Sequence, residues 1–160
     1  MSLKGRSVAI SACLLGCRCR YDASDNRDDL LLRHLEGATL IPFCPEDDAF
    51  GSPRPTMDLI VHKGEVIARS NETGEDLSAP ILSYAEAFFE AHPTIEYFVG
   101  KDRSPSCGVR SAKIYNEQKQ LIARGAGLMA QVAMRRGLSA WDAEAVCNSS
   151  LFYKKISKNF

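Results

Sequence analysis

No stretch of this 160-residue chain approaches the ~20 consecutive apolar residues that a membrane-spanning helix needs. The amino terminus lacks the charged, apolar and small-residue sections of a secretory signal, so a cytoplasmic protein with no membrane partner is expected. Net charge is also missing. Twenty basic residues balance twenty acidic ones, and bulk attraction for nucleic acid or an anionic surface is therefore unsupported. No repeat, low-complexity tract or linker interrupts the chain, whose length suits one compact domain over residues 1–160. Cys-x2-Cys pairs are absent, and His34, His62 and His92 stand far apart, which weakens a structural zinc reading.

What the chain does have is six cysteines. Without a secretory signal they imply a reducing compartment, where thiols serve metals or catalysis more often than disulfides. Three of them follow apolar runs of strand length. Val8–Ala12 runs into Cys13, Thr39–Phe43 into Cys44-Pro45-Glu46, and Ile95–Val99 into the segment Lys101–Gly108 that contains Cys107. If these strands are parallel neighbours, their carboxyl ends lie together, where open α/β sheets bind ligands. Cys13, Cys44 and Cys107 are accordingly expected to converge on one metal or cluster. Cys19 competes for a ligand role, or closes the site as a fourth ligand. Cys17 is either a spare thiol or a site neighbour, and Cys147 reads as packing. Three thiolates suit soft metals and iron–sulfur clusters, and three ligands on a four-iron cluster would leave one iron open to a substrate.

The remaining elements follow from periodicity and turn signals. A helix is expected from about Asn26, with Asp28 and Asp29 in its first turn and Gly37 as its stop. Gly51–Pro55 reads as a rigid extended loop. Leu59–Val61 and Glu65–Ala68 form a hairpin about Lys63-Gly64. The apolar spacing of Ile81, Leu82, Ala85, Phe88 and Phe89 predicts a helix over Ser78–Ala91. Ala112–Tyr115 and Gln120–Ala123 suggest a second hairpin, and Gly125–Arg136 an amphipathic helix. Trp141–Phe160 is expected to mix a short helix with aromatic and lysine residues. This order fits a right-handed α/β layer fold.

Several side chains flank the three thiols in sequence. Glu46, two residues after Cys44, can exchange protons beside a polarising metal, or simply face solvent. Ser104 can relay a proton, or cap a turn. Arg54, fixed between two prolines, can hold an anionic or carbonyl group, or form a structural ion pair. Arg20, Tyr21 and Asp22 line the same pocket or pin the first loop. Ser106, beside Cys107, joins Arg54 and Arg20 as an expected substrate contact. Asp47 and Asp48 read as a solvated acidic turn.

Ile10–Gly16, Cys19-Arg20-Tyr21-Asp22, Cys44-Pro45-Glu46, Pro53-Arg54-Pro55, Gly74-Glu75-Asp76 and Arg103–Gly108, in that order, resemble the small bacterial thiouracil desulfidase family, long classed as a domain of unknown function. The resemblance covers about residues 7–136 and leaves 137–160 as a helical tail. It implies a single Rossmann-like three-layer α/β domain with a mainly parallel sheet and short hairpin additions. It also implies a 4Fe–4S cluster on Cys13, Cys44 and Cys107, with the substrate's sulfur binding the open iron. Thiouracil would become uracil plus sulfide without net redox change, with Glu46 and Ser104 as the acid–base residues. The substrate would be a small thiolated nucleobase; a thiolated tRNA base is a further conceivable substrate. Two departures from the family pattern, Asp47–Gly51 after Glu46 and Ala23 in place of glycine, touch the pocket rim and bear on substrate identity. Two other readings stay open: a structural or sensing metal or iron–sulfur protein without turnover, and an enzyme using Cys107 as nucleophile beside Lys101 and Arg103.

Overall fold

The structure, a computed structural model, describes residues 3–148. Its centre is a sheet of four parallel strands in the order β2 (Thr39–Phe43), β1 (Ser7–Ser11), β5 (Tyr97–Gly100), β8 (Ser139–Asp142). The strands are short and dominated by apolar and β-branched residues, as strands covered on both faces are. Alternation along β1 sends Val8 and Ile10 to one face, against Leu31 and Leu35 of α1 (Asp29–His34, with Leu35 its cap) and Val146 of α5 (Ala143–Cys147). Ala9 and its neighbour Phe98 face the other way, onto Phe88 and Phe89 of α3 (Ser78–Ala91) and Met129 of α4 (Leu128–Arg135). Helices thus cover both faces of the sheet, giving three layers of Rossmann-like α/β type. Phe43 stacks on Phe98 at 4.8 Å between ring centres and meets Phe88 edge-on at 5.7 Å; such pairs add about 0.5–1.5 kcal/mol each beyond area burial.

The two expected hairpins are present and join into a second sheet. β3 (Met57–His62) and β4 (Glu65–Ser70) are antiparallel, as are β6 (Ala112–Tyr115) and β7 (Leu121–Gly125). A short parallel pairing of Leu59 with Ile114 and Ile60 with Tyr115 links them in the order β4-β3-β6-β7. Met57, Leu59, Ala68 and Ala112 of this sheet pack on Ile81 of α3 and Leu128 of α4, so these two helices are shared between both sheets.

Three expectations are corrected. The first helix begins at Asp29, with Asp28 as its cap: the Asp28 carboxylate accepts the Leu31 N–H at 3.0 Å. The segment after Cys44 is helix α2 (Pro45–Phe50), with proline at its start and Glu46, Asp47 and Asp48 in its first turn, where carboxylates suit the helix dipole. Asp47 and Asp48 therefore belong to a helix, and the Asp47 carboxylate accepts the Ser52 hydroxyl at 2.6 Å. The tail contributes β8 before its helix, because the backbone of 139–142 adds a strand to β5 although its side chains are mostly half-exposed. The rest of the expected tail, 149–160, lies outside the described residues. Among the described residues no helix is long and apolar enough to cross a membrane.

Candidate active site

The chain leaves β1 toward β2 on one side, and leaves β5 toward β8 on the other. That reversal opens a crevice beyond the carboxyl ends of β1 and β5. A cavity of about 680 Å3 occupies it, within the size range of small-molecule sites. Its floor carries Cys13, Cys44 and Cys107, and its far wall includes Met57, Lys113 and Tyr115 from the second sheet.

The three thiols arrive from three elements. Cys13 sits in the 3-10 turn Ala12–Leu15 directly after β1, and Cys44 caps the start of α2 directly after β2. Cys107 comes from the loop after β5, seven residues beyond the end of the strand rather than at its tip. Burial raises the pKa of all three. Cys13 is pushed up to about 11, mainly by burial and then by the neighbouring Cys44. Cys44 is raised chiefly by burial. Cys107 is raised by burial, then by Glu46 and Cys44. Cys44 therefore acts on both of its partners, as it must if the sulfurs share one space. The raised values are the reverse of what a free thiolate nucleophile needs. Cys19 is buried in the cavity wall, and the Cys44 thiol donates to its carbonyl at 3.6 Å. Burial first, and Cys44 second, also raise the Cys19 thiol.

Among the described residues, no three His, Cys, Asp or Glu side chains stand close enough to hold one metal ion. An iron–sulfur cluster places each thiolate on its own iron, which requires a broader spread of sulfurs. Three thiols lining one cavity match that donor set in chemistry.

Beside the thiols lies a polar chain. Glu46, in the first turn of α2, receives a hydrogen bond on Oε2 from the Ser106 hydroxyl. Arg54 Nε stands 3.8 Å from Glu46 Oε1, with side chains 5% and 15% exposed respectively. The Arg54 guanidinium is fixed through Nη1, which donates to the carbonyls of Cys19 (2.8 Å) and Gly51 (3.0 Å) and to the Ser52 hydroxyl. Its backbone N–H donates to the Tyr21 carbonyl at 2.7 Å, so the proline-rich loop and the first loop brace one another. Ser104 Oγ accepts the Cys107 N–H at 3.1 Å and lies 3.4 Å from Ser106 Oγ.

A family model described as 2-thiouracil desulfurase matches residues 8–145. The chain belongs to the 2-thiouracil desulfurase family. Members of this family are enzymes. Among solved structures, the [4Fe-4S]-dependent thiouracil desulfidase TudS (DUF523Vcz) superposes with a TM-score of 0.68 at 27% identity, covering 94% of this chain and 99% of that one. The uncharacterized protein YbbK of Bacillus subtilis (strain 168) is 29% identical over 119 residues, 68% of this chain and 76% of its own length.

In this member of the 2-thiouracil desulfurase family, most residues singled out from sequence do gather. Cys13, Cys19, Cys44, Arg20, Tyr21, Glu46, Arg54, Ser104 and Cys107 all line the cavity. Ser106, expected to touch substrate, is instead fully enclosed and reaches Glu46 from behind the wall. Cys17 is exposed, and Cys147 packs half-buried on the face of the sheet that α1 and α5 cover. Sequence reasoning missed the residues that hold the Cys107 loop. Asp142, at the end of β8, accepts the N–H groups of Val109 (2.8 Å) and Arg110 (2.9 Å) and the Ser111 hydroxyl (2.7 Å). Ser11 Oγ accepts the Lys101 N–H at 2.9 Å, and the Cys107 thiol lies 3.7 Å from the Ser106 hydroxyl. Gly100 lets the loop fold back, since a Cβ there would meet the Cys107 carbonyl oxygen at 1.8 Å. The first N–H groups of α4 close the arrangement on the Pro105 and Ser106 carbonyls at 2.9–3.2 Å. Only a run of apolar residues before a glycine hinted at any of this.

Proposed function

We propose that this protein is an iron–sulfur-dependent desulfidase that exchanges the sulfur of a thiolated pyrimidine for oxygen, converting thiouracil and water to uracil and sulfide without net redox change. The observation that carries the reading is the meeting of Cys13, Cys44 and Cys107 in one cavity beside Glu46. The family and the likeness to TudS support the same chemistry. The three cysteines would hold a 4Fe–4S cluster. When bound, it supplies a Lewis-acidic iron with an open position for the substrate's sulfur.

The chain's own residues do the rest. Glu46, oriented by Arg54 and Ser106, takes a proton from water aimed at the pyrimidine carbon. Ser104, at the cavity surface, donates a proton toward the leaving sulfur or a ring nitrogen. Arg54 and Arg20 border the space in which the pyrimidine's carbonyl edge would sit. Reduced thiol ligands fit a cytoplasmic setting.

The burial of Cys19 beside Cys44 supports a second reading: a four-thiolate cluster with a structural or sensing role. One experiment separates the two. The protein is purified anaerobically, its iron and sulfide are measured, and sulfide release from 2-thiouracil and 4-thiouracil is followed. The desulfidase reading expects about four irons per chain, as a four-iron cluster requires, together with turnover that Glu46→Ala and Ser104→Ala remove without loss of iron. Iron-loaded protein that releases no sulfide, and that Cys19→Ser strips of its iron, establishes the second reading instead.

A further inference from the structure

Resting on the reading above, we infer that Ser106 is a positioning residue that couples Glu46 to Ser104, making one proton path from two elements that are 58 residues apart in sequence. The Ser106 side chain is 0% exposed and does not line the cavity, so its hydroxyl has no direct part in holding substrate. That hydroxyl donates to Glu46 Oε2, meets the Cys107 thiol at 3.7 Å, and stands 3.4 Å from Ser104 Oγ. A hydroxyl donates one hydrogen bond and still accepts, so Ser106 can link a carboxylate to a second hydroxyl.

The path is held at both ends. The Ser106 carbonyl accepts the N–H groups of Met129 (2.9 Å) and Ala130 (3.2 Å), and its own N–H lies 3.3 Å from Ser104 Oγ. On the far side of Glu46, Arg54 faces Oε1. The carboxylate thus carries a hydrogen bond from Ser106 on one oxygen and an ion-pair contact with Arg54 at 3.8 Å on the other.

The proton balance closes. Glu46 takes one proton from the attacking water, whose oxygen bonds to the pyrimidine carbon. Glu46 then returns a proton to Ser106, Ser106 passes its own to Ser104, and Ser104 gives its own to the departing sulfur or ring nitrogen. Each residue ends in the state in which it began, and only the hydroxyl hydrogens rotate. As the C–S bond breaks, the new C–OH gives up its remaining proton by the same path and becomes the carbonyl, so both water protons leave with the sulfur as H2S and no electron donor or acceptor is needed.

The test compares wild-type protein, Ser106→Ala, Ser106→Thr, Ser104→Ala and the Ser104→Ala/Ser106→Ala pair, all as anaerobically prepared full chains. Each is measured for iron content, for kcat and KM separately on thiouracil, and for the solvent deuterium effect on kcat. A crystal structure of Ser106→Ala is also determined. The expected result is wild-type iron in every variant and KM within about twofold for Ser106→Ala. Its kcat should fall about tenfold to a hundredfold, at the lower edge of general acid–base contributions. Ser106→Thr, which keeps the hydroxyl, should recover most of that loss. The paired variant should be no worse than the poorer single one, as residues acting in one path require. In the crystal, the Glu46 carboxylate should swing away from Ser104. An unchanged kcat, a rise in KM alone, loss of iron with loss of activity, or additive losses in the pair would each overturn the inference. Should wild-type protein release no sulfide from any thiolated pyrimidine, the functional reading fails by itself. The Ser106→Ala crystal structure then still decides the positioning role, which an unmoved Glu46 refutes.

Discussion

Tyr84, from the middle of α3, presents its phenol oxygen to the Cys44 backbone N–H at 3.1 Å. A helix on one face of the sheet thereby fixes the backbone of a thiol at the sheet's end. Tyr84→Phe keeps the ring and its stacking on Phe88 at 6.1 Å, but leaves a partly buried N–H without its partner. The expected cost is about 1–3 kcal/mol, with faster loss of iron to a chelator because Cys44 is no longer pinned. Thermal unfolding and iron-release rates measure both. A variant matching wild type in each would show that the phenol is incidental.

The cysteines separate into two groups by position. Cys13→Ala, Cys44→Ala and Cys107→Ala are each expected to abolish iron retention after anaerobic reconstitution, since each removes one donor from the cavity floor. Cys17→Ala and Cys147→Ala should retain full iron, because Cys17 is exposed and Cys147 packs against the core. Colorimetric iron and sulfide counts on all five proteins provide the check. Full iron in any of the first three would remove that residue from the ligand set.

The strand-end thiols were legible because a short apolar run followed by a polar break is a local signal. So was α3, whose apolar residues recur at helical spacing over its whole length. The sequence was silent where structure depends on partners far along the chain. β8 has no apolar run of its own, because it lies at the sheet's margin with half-exposed side chains, so only its backbone pairing with β5 makes it a strand. Tyr84, Ser11 and Asp142 act over separations of 40, 90 and about thirty residues, and nothing in their immediate surroundings marks them. Ser106 was noticed for its place beside Cys107. Whether its hydroxyl faced substrate or Glu46 depended on where α2 lies, and within α2 Asp47 and Asp48 read only as an acidic turn.

Gly100 ends β5 with its α-hydrogen against the Cys107 carbonyl, and no side chain fits there: a Cβ would lie 1.8 Å from that oxygen. The obstacle is backbone, held in turn by Asp142 and by the start of α4, so a rotamer change cannot relieve it. Gly100→Ala is expected to displace the Cys107 loop at a cost of several kcal/mol, in the upper range for single substitutions, and to abolish iron retention. Circular dichroism and an iron count on the soluble fraction report this. A well-folded, fully iron-loaded Gly100→Ala protein would show that the loop moves freely.

Asp102 is 6% exposed, and its carboxylate accepts the Glu144 N–H at 2.9 Å. Burial, reinforced by the nearby Asp142 and Glu144 charges, raises its pKa above the usual 3.8, against the opposing effect of that N–H. The folded state therefore binds this proton more tightly than the unfolded chain does. With the native state holding more protons, stability must fall as pH climbs from the ordinary value through the raised one. The contribution is favourable at the acid end and is lost toward neutrality. Asp102→Asn keeps an acceptor for the Glu144 N–H and carries no charge to bury. Urea unfolding of both proteins from pH 3.8 to neutrality should show the variant gaining on wild type as pH rises, then running parallel above the raised value. A difference that stays constant, or shrinks with rising pH, would mean that the Asp102 charge is compensated in the folded protein.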